Sequence, residues 1–217
     1  MMLSGKVFGY QCPDDEAGVV IFTPMTASDP KHKPVIDIII QHVQLGAQDA
    51  GLKVIGILGK NATIAAYRSL GQCSNVRAFI NIGHSDPYGI YAADGYIKAE
   101  EIGDVFKFNY KTFFYNYACN SFKDPLKDAF INKAKAGKYV GAVDLCYLGG
   151  VLDTHVALCY LENAFNTTNL HSLLTTCVAD NQNKFPGEKS PWRVGGKGRP
   201  FIMSPFMAES ILDRSEL

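Results

Sequence analysis

Two side chains in this sequence combine reactivity with a telling position. His84 lies in the turn-forming run Gly83-His84-Ser85-Asp86-Pro87, directly after the apolar stretch VRAFINI, and Cys119 directly follows the apolar stretch TFFYNYA. A thiol attacks a carbonyl as its thiolate, so a nucleophilic cysteine needs a nearby imidazole or a helix N-terminus to favour ionisation. Cys119 has the setting for both. It precedes a helix start near Asp124, and it would meet His84 if the two apolar stretches were neighbouring strands. The other five cysteines lack that setting. Cys146 follows a strand but has no histidine-bearing turn in view, Cys159 and Cys177 fall inside helical patterns and read as packing residues, and Cys12 and Cys73 fall in loops.

The elements that would position this pair alternate along the chain. Gly18 to Pro24 and Lys53 to Leu58 read as buried strands, short and β-branched. Val76 to Ile82 and Thr112 to Ala118 read the same way, as does Tyr139 to Leu145. Between them lie helical patterns. Asp29-Pro30 supplies a cap and first-turn proline for a helix stopped before Gly51, and Asn61 is the expected cap of a second helix ending at Gly71. A third helix is expected over Ile97 to Phe106, and a fourth behind Asp124-Pro125, closed by Gly137. Two more follow, at about Asp153 to Phe165 and Leu170 to Ala179. A Gly/Pro/basic stretch over about 181–205, with the single tryptophan Trp192, reads as a long surface loop.

Alternating strands and helices imply one domain over residues 1–217, a three-layer α/β/α sandwich with a mostly parallel sheet. Right-handed crossovers bring the strand C-termini to one edge, where such sheets bind ligands. His84 and Cys119 both end strands there.

Composition narrows the partners. Basic and acidic side chains balance at 21 each, which leaves no global field to draw nucleic acid or an anionic membrane. A small neutral or peptidic partner suits the chain better. No export-type leader and no long apolar span is evident, so a cytoplasmic, soluble protein is expected, and widely spaced cysteines in that compartment are expected to be reduced. The absence of any Cys-x-x-Cys pair argues against a structural zinc site. A nucleotide-binding domain is disfavoured, because Gly195-Gly196-Lys197-Gly198 has no strand-to-helix context.

The segment FINIGHSDPYGIYAADGYIKAEEI resembles the histidine block of the caspase-fold (clan CD) cysteine peptidases, in which an apolar strand ends in His-Gly and an acidic-Gly step leads into a helix. TFFYNYACNSF resembles their nucleophile block. The likeness spans roughly residues 76–165 and holds at clan level only. Ser85 stands where the group has glycine, and neither the caspase nor the legumain cysteine motif is present.

The resemblance implies a caspase-like fold and an endopeptidase working through a thioester, with no metal or organic cofactor. Cys119 would be the nucleophile and His84 the proton donor to the leaving amine, while the N–H groups of Ser85 and Cys119 would form the oxyanion hole. Asp86 is read either as a group orienting His84 or as a turn residue before Pro87. Asp144, near the end of the next strand, either selects a Lys or Arg P1 residue or faces water. Arg193 or Arg199 would select an acidic P1 residue if the pocket is basic. The alternative to an enzyme is an inactive member of the fold serving as a binding module, and Ser85 is the feature that raises it.

Overall fold

The structure is a computed structural model, and it describes residues 17–27, 31–106, 113–134 and 136–196. Five strands build its central parallel array: β1 (Gly18–Thr23), β2 (Lys53–Leu58), β3 (Val76–Ile82), β7 (Phe113–Tyr117) and β8 (Lys138–Ala142). Strand β9 (Trp192–Gly195) adds antiparallel to β8, giving the order β2-β1-β3-β7-β8-β9. A separate antiparallel sheet of β4 (Ser85–Asp86), β5 (Gly89–Ala92) and β6 (Gly95–Lys98) rises from the end of β3.

Strand side chains alternate between faces, and here both faces are apolar. Val19, Ile21, Ile80, Phe113 and Tyr115 bury against one helical layer, built from α1 (Lys33–Asp49), α5 (Val151–Asn163) and α6 (Leu170–Gln182). Val20, Phe22, Phe79 and Phe114 bury against the other, which holds α2 (Ile64–Gly71), α3 (Ala99–Val105) and the short α4 (Leu126–Asp128) with its π-helical continuation Ala129–Lys133. Two cores on one sheet are what make three layers. Helices α1 and α5 approach closely at Gly46, where a β-carbon would lie 2.3 Å from the Glu162 carbonyl oxygen. No helix among the described residues is long and apolar enough to cross a membrane.

Several local expectations are corrected. Helix α1 begins at Lys33 with Pro34 in its first turn, so proline opens it as expected, but the proline is not Pro30, and Asp29 and Pro30 lie outside the described residues. Thr63, not Asn61, caps α2 by accepting from the Ala66 N–H at 3.1 Å. Ile97 belongs to β6, opposite Ile90, because a turn at Ala93-Asp94 folds that segment back as a hairpin before α3 starts. Strand β8 stops at Ala142 rather than Leu145; the Val143 N–H extends its pairing toward β9 by one more bond, to the Pro191 carbonyl at 2.9 Å, and the chain then leaves the sheet. Within the expected 181–205 loop, Trp192 is buried in β9, its ring centroid 5.0 Å from that of Tyr117.

The expectation of reduced thiols is overturned as well. Cys159 and Cys177 are joined by a disulfide linking α5 to α6, and Cys73 is also disulfide-bonded. Spacing rules read the compartment a chain is built for and not which side chains face each other, and two packed helices bring residues 18 apart together. Cys12 lies outside the described residues.

Candidate active site

The central ladder sets the geometry. Strands β3 and β7 pair in parallel with partners that differ by 35 throughout, from Ala78 with Phe113 to Ile82 with Tyr117. Two residues further along each chain the same offset joins His84 to Cys119. Hydrogen bonds carry the pairing past the strand ends: Gly83 N–H donates to the Tyr117 carbonyl at 3.1 Å, and the Ser85 hydroxyl donates to the Cys119 carbonyl at 2.6 Å. His84 is exposed and Cys119 half-buried. Both line one recess of about 230 Å³, together with Met25, His32, Tyr117, Cys146, Tyr147 and others.

The turn that presents Cys119 is built on buried polar contacts. Asn120 takes the left-handed region at φ 54°, which asparagine tolerates better than most residues, and its N–H donates to the Asp144 carbonyl at 3.0 Å. Ser121, fully buried, donates its hydroxyl to the Ala118 carbonyl at 2.8 Å and accepts from the Ala142 N–H at 2.9 Å. Its own carbonyl accepts from the Tyr139 hydroxyl at 2.6 Å, and that hydroxyl accepts from Asn116 at 2.8 Å. Gly141 makes room for this, because a β-carbon there would lie 2.7 Å from the Ser121 hydroxyl oxygen. Satisfied networks of this kind rigidify what they support.

Cys119 is the acidified thiol of the pair of free cysteines in the described residues. Its pKa is lowered to about 6, first by the hydrogen bond from the Cys146 side chain and then by the Cys146 N–H, against burial and the nearby Asp153 carboxylate, which oppose ionisation. The Cys146 N–H lies 3.4 Å from Cys119 Sγ, and Sγ lies 3.3 Å from the Cys146 carbonyl oxygen. Cys146 is pushed far up by its hydrogen bond to Cys119 and by burial. The shift thus comes from the neighbouring cysteine, whereas the sequence pointed to histidine and a helix N-terminus.

The remaining predicted residues divide. Tyr91 N–H donates to the His84 carbonyl at 3.1 Å, so that pair is hydrogen-bonded. Ser85, opposite Ile90, then occupies the alternate kind of position, where the N–H turns away from β5. Asp86 accepts from the Tyr88 N–H at 2.7 Å and from the Tyr96 hydroxyl, contacts that belong to the turn. Burial and this bond to Asp86 both raise the Tyr96 pKa. Asp144 is exposed and outside the residues lining the recess, and its carboxylate accepts from the Leu145 N–H at 2.8 Å. Arg193 turns back on β9, donating to the Trp192 carbonyl at 2.7 Å; Arg199 lies outside the described residues.

Cys146 is the residue that reading the sequence missed. It follows β8, the strand next to β7, so edge topology offered a signal for it. Met25 and His32 come from beyond β1 and carried no such signal. Among the described residues no group of three His, Cys, Asp or Glu side chains is placed to hold a metal ion.

No family model matches the chain, and no curated protein matches it. Solved structures do match. A protease structure aligns with TM-score 0.57 at 13% identity, covering 89% of this chain, which spans about half (51%) of that one. Caspase-1 from Spodoptera frugiperda aligns with TM-score 0.55 at 12% identity, covering 90% of this chain and 93% of its own. Identity this low speaks to architecture alone. With its six-stranded, mostly parallel sheet between two helical layers and β9 reversed at the edge, the chain has a caspase-like fold.

Proposed function

We propose that this protein is a cysteine-type endopeptidase acting through Cys119 and His84. The observation that carries the reading is the shared recess, which gathers an acidified thiol and an imidazole at adjacent strand ends of a caspase-like sheet. In the proposed reaction the Cys119 thiolate attacks the scissile carbonyl carbon, and the developing oxyanion takes hydrogen bonds from the Ser85 and Cys119 N–H groups. His84 protonates the leaving amine as the C–N bond breaks. Water then hydrolyses the thioester, releasing the acid and restoring the thiol. Ser85 in place of glycine is compatible with this role, since its side chain is occupied with the Cys119 carbonyl and its N–H is turned away from β5.

The substrate is read as a peptide or protein whose P1 side chain is uncharged. The recess is lined by Met25, Tyr117, Leu145 and Leu148 beside two histidines and two thiols, with no Asp, Glu, Lys or Arg among its lining residues. A charged side chain buried without a partner is costly. Selection of Lys or Arg by Asp144 would need that carboxylate to leave the Leu145 N–H and turn inward.

A fluorogenic peptide panel with Leu, Met, Arg, Lys, Asp or Asn at P1 tests both points. The expected result is hydrolysis strongest after Leu or Met. Cys119→Ala and His84→Ala should each lower kcat/KM on the best substrate by on the order of a thousandfold or more, with circular dichroism unchanged. Activity near the parent's in either variant would rule out the dyad, and no hydrolysis of any peptide would rule out the peptidase.

A further inference from the structure

The recess contains two free thiols, and their arrangement is informative whatever the protein cleaves. Cys119 Sγ touches the main chain of Cys146 at both ends, 3.4 Å from its nitrogen and 3.3 Å from its carbonyl oxygen. A sulfur that touches both main-chain polar atoms of Cys146 is a near neighbour of the Cys146 thiol, and each thiol is the leading influence on the other's ionisation. The loop bearing Cys146 is fastened on both sides. Asp144 O accepts from Asn120 N–H at 3.0 Å, Tyr147 O accepts from the Tyr117 hydroxyl at 3.2 Å, and Tyr147 N–H donates to Asp153 at 3.0 Å. Exposure differs between the two sulfurs: Cys119 is half-buried at the recess, while Cys146 is 7% exposed behind it.

We propose that Cys119 and Cys146 form a hydroperoxide-reactive dithiol site, in which Cys119 is oxidised first and Cys146 resolves it to an intramolecular disulfide. In the first step Cys119 thiolate attacks the terminal oxygen of a hydroperoxide ROOH. The S–O bond forms, the O–O bond breaks, and RO⁻ leaves to take a proton from water. In the second step the Cys146 sulfur attacks the sulfenic sulfur, the S–S bond forms, the S–O bond breaks, and the departing hydroxide carries off the Cys146 proton as water. The two sulfurs lose two electrons in total and the hydroperoxide gains them.

The electrostatics fit the division of labour. Cys119 is ionised near neutrality, as a peroxide-attacking thiol must be. Cys146 is held protonated chiefly by its hydrogen bond to Cys119, and that restraint disappears once Cys119 has become an uncharged sulfenic acid. Neither step involves a peptide, so the site does not rest on the peptidase reading.

The test uses the full chain, mildly reduced and desalted, then treated with one equivalent of hydrogen peroxide, alkylated and mapped by mass spectrometry without reduction. The expected product is a Cys119–Cys146 cross-linked peptide pair, lighter by about 2 Da than the reduced pair and opened by dithiothreitol. Cys146→Ala and Cys146→Ser should lose the cross-link and instead give a dimedone adduct at Cys119. Two substitutions guard against one failing to fold. Sulfinic acid or a dimedone adduct at Cys119 in the parent protein, with Cys146 still open to alkylation, would overturn the proposal, as would a Cys119 that peroxide leaves unchanged.

Discussion

Two cysteine pairs in this protein differ in fate. Cys159 and Cys177 face each other between α5 and α6, in the helical layer that also holds α1, and are covalently joined. Cys119 and Cys146 meet at the sheet's C-terminal edge, remain free, and differ so strongly in surroundings that one thiol is acidified while the other resists ionisation. The helical pair shows sulfur used for cohesion. The edge pair shows it acidified instead, because the loop after β8 sets the Cys146 N–H and a second thiol beside the Cys119 sulfur. What a cysteine does here follows from its neighbours and not from its spacing.

The largest effect that would break this contrast is the pH dependence of Cys119 labelling. With a pKa lowered to about 6, its thiolate fraction rises through pH 5 to 7 and then levels off. At pH 6 about half of Cys119 is ionised, against roughly 0.3% of an ordinary thiol. Substoichiometric iodoacetamide at pH 6 should therefore modify Cys119 well ahead of Cys146, and Cys146→Ala should move the labelling midpoint to higher pH. A midpoint near that of a free thiol, or equal labelling of both cysteines, would remove the asymmetry.

The helical pair is tested by stability. Closing a loop of sequence separation 18 contributes about 3 kcal/mol by the chain-entropy argument. Cys159→Ser with Cys177→Ser should then lower the melting temperature by ~6–12 °C, as measured by circular dichroism, while leaving Cys119 labelling at pH 6 unchanged. An unchanged melting temperature would mean the helices need no cross-link, and altered labelling would mean the two pairs are coupled.

Asp144 supplies the smallest expected effect. As an exposed carboxylate bonded to its neighbour's N–H, it should tolerate Asn with a stability change within about 0.5 kcal/mol and the same proportional change in hydrolysis after Arg as after Leu. A selective loss after Arg or Lys would restore it as a P1-reading residue.

Much of this was legible in the sequence, and the rest was hidden for identifiable reasons. The runs VVIF and VRAFINI are apolar at nearly every buried position, Asn81 being the polar exception, so composition and length announced buried strands, and the turn formers after β3 and β7 placed His84 and Cys119 at one edge. Cys146 was passed over because its partner is another cysteine across the recess, a relation that exists only once β8 lies beside β7. Trp192 sits among Gly, Pro and basic residues, which reads as loop; four residues of β9 suffice to bury it because Tyr115 and Tyr117 already form an aromatic floor. The β6 hairpin was read as a helix start because Ile97 lies directly before the helical spacing Ala99, Ile102, Val105 and Phe106, in a stretch too short for a strand period to show.

The constant offset between β3 and β7 bears on how such a chain can change over time. His84 and Cys119 are neighbours because two strands lie side by side, and the polypeptide between them serves only to make the trip. Residues gained or lost in the outlying hairpin or around α3 would alter the count of 35 without moving either side chain. One residue gained or lost inside β7 would instead turn Tyr115 and Tyr117 toward the wrong layer. Lineages could therefore drift freely in length and composition between the strands while the order of histidine before cysteine persists.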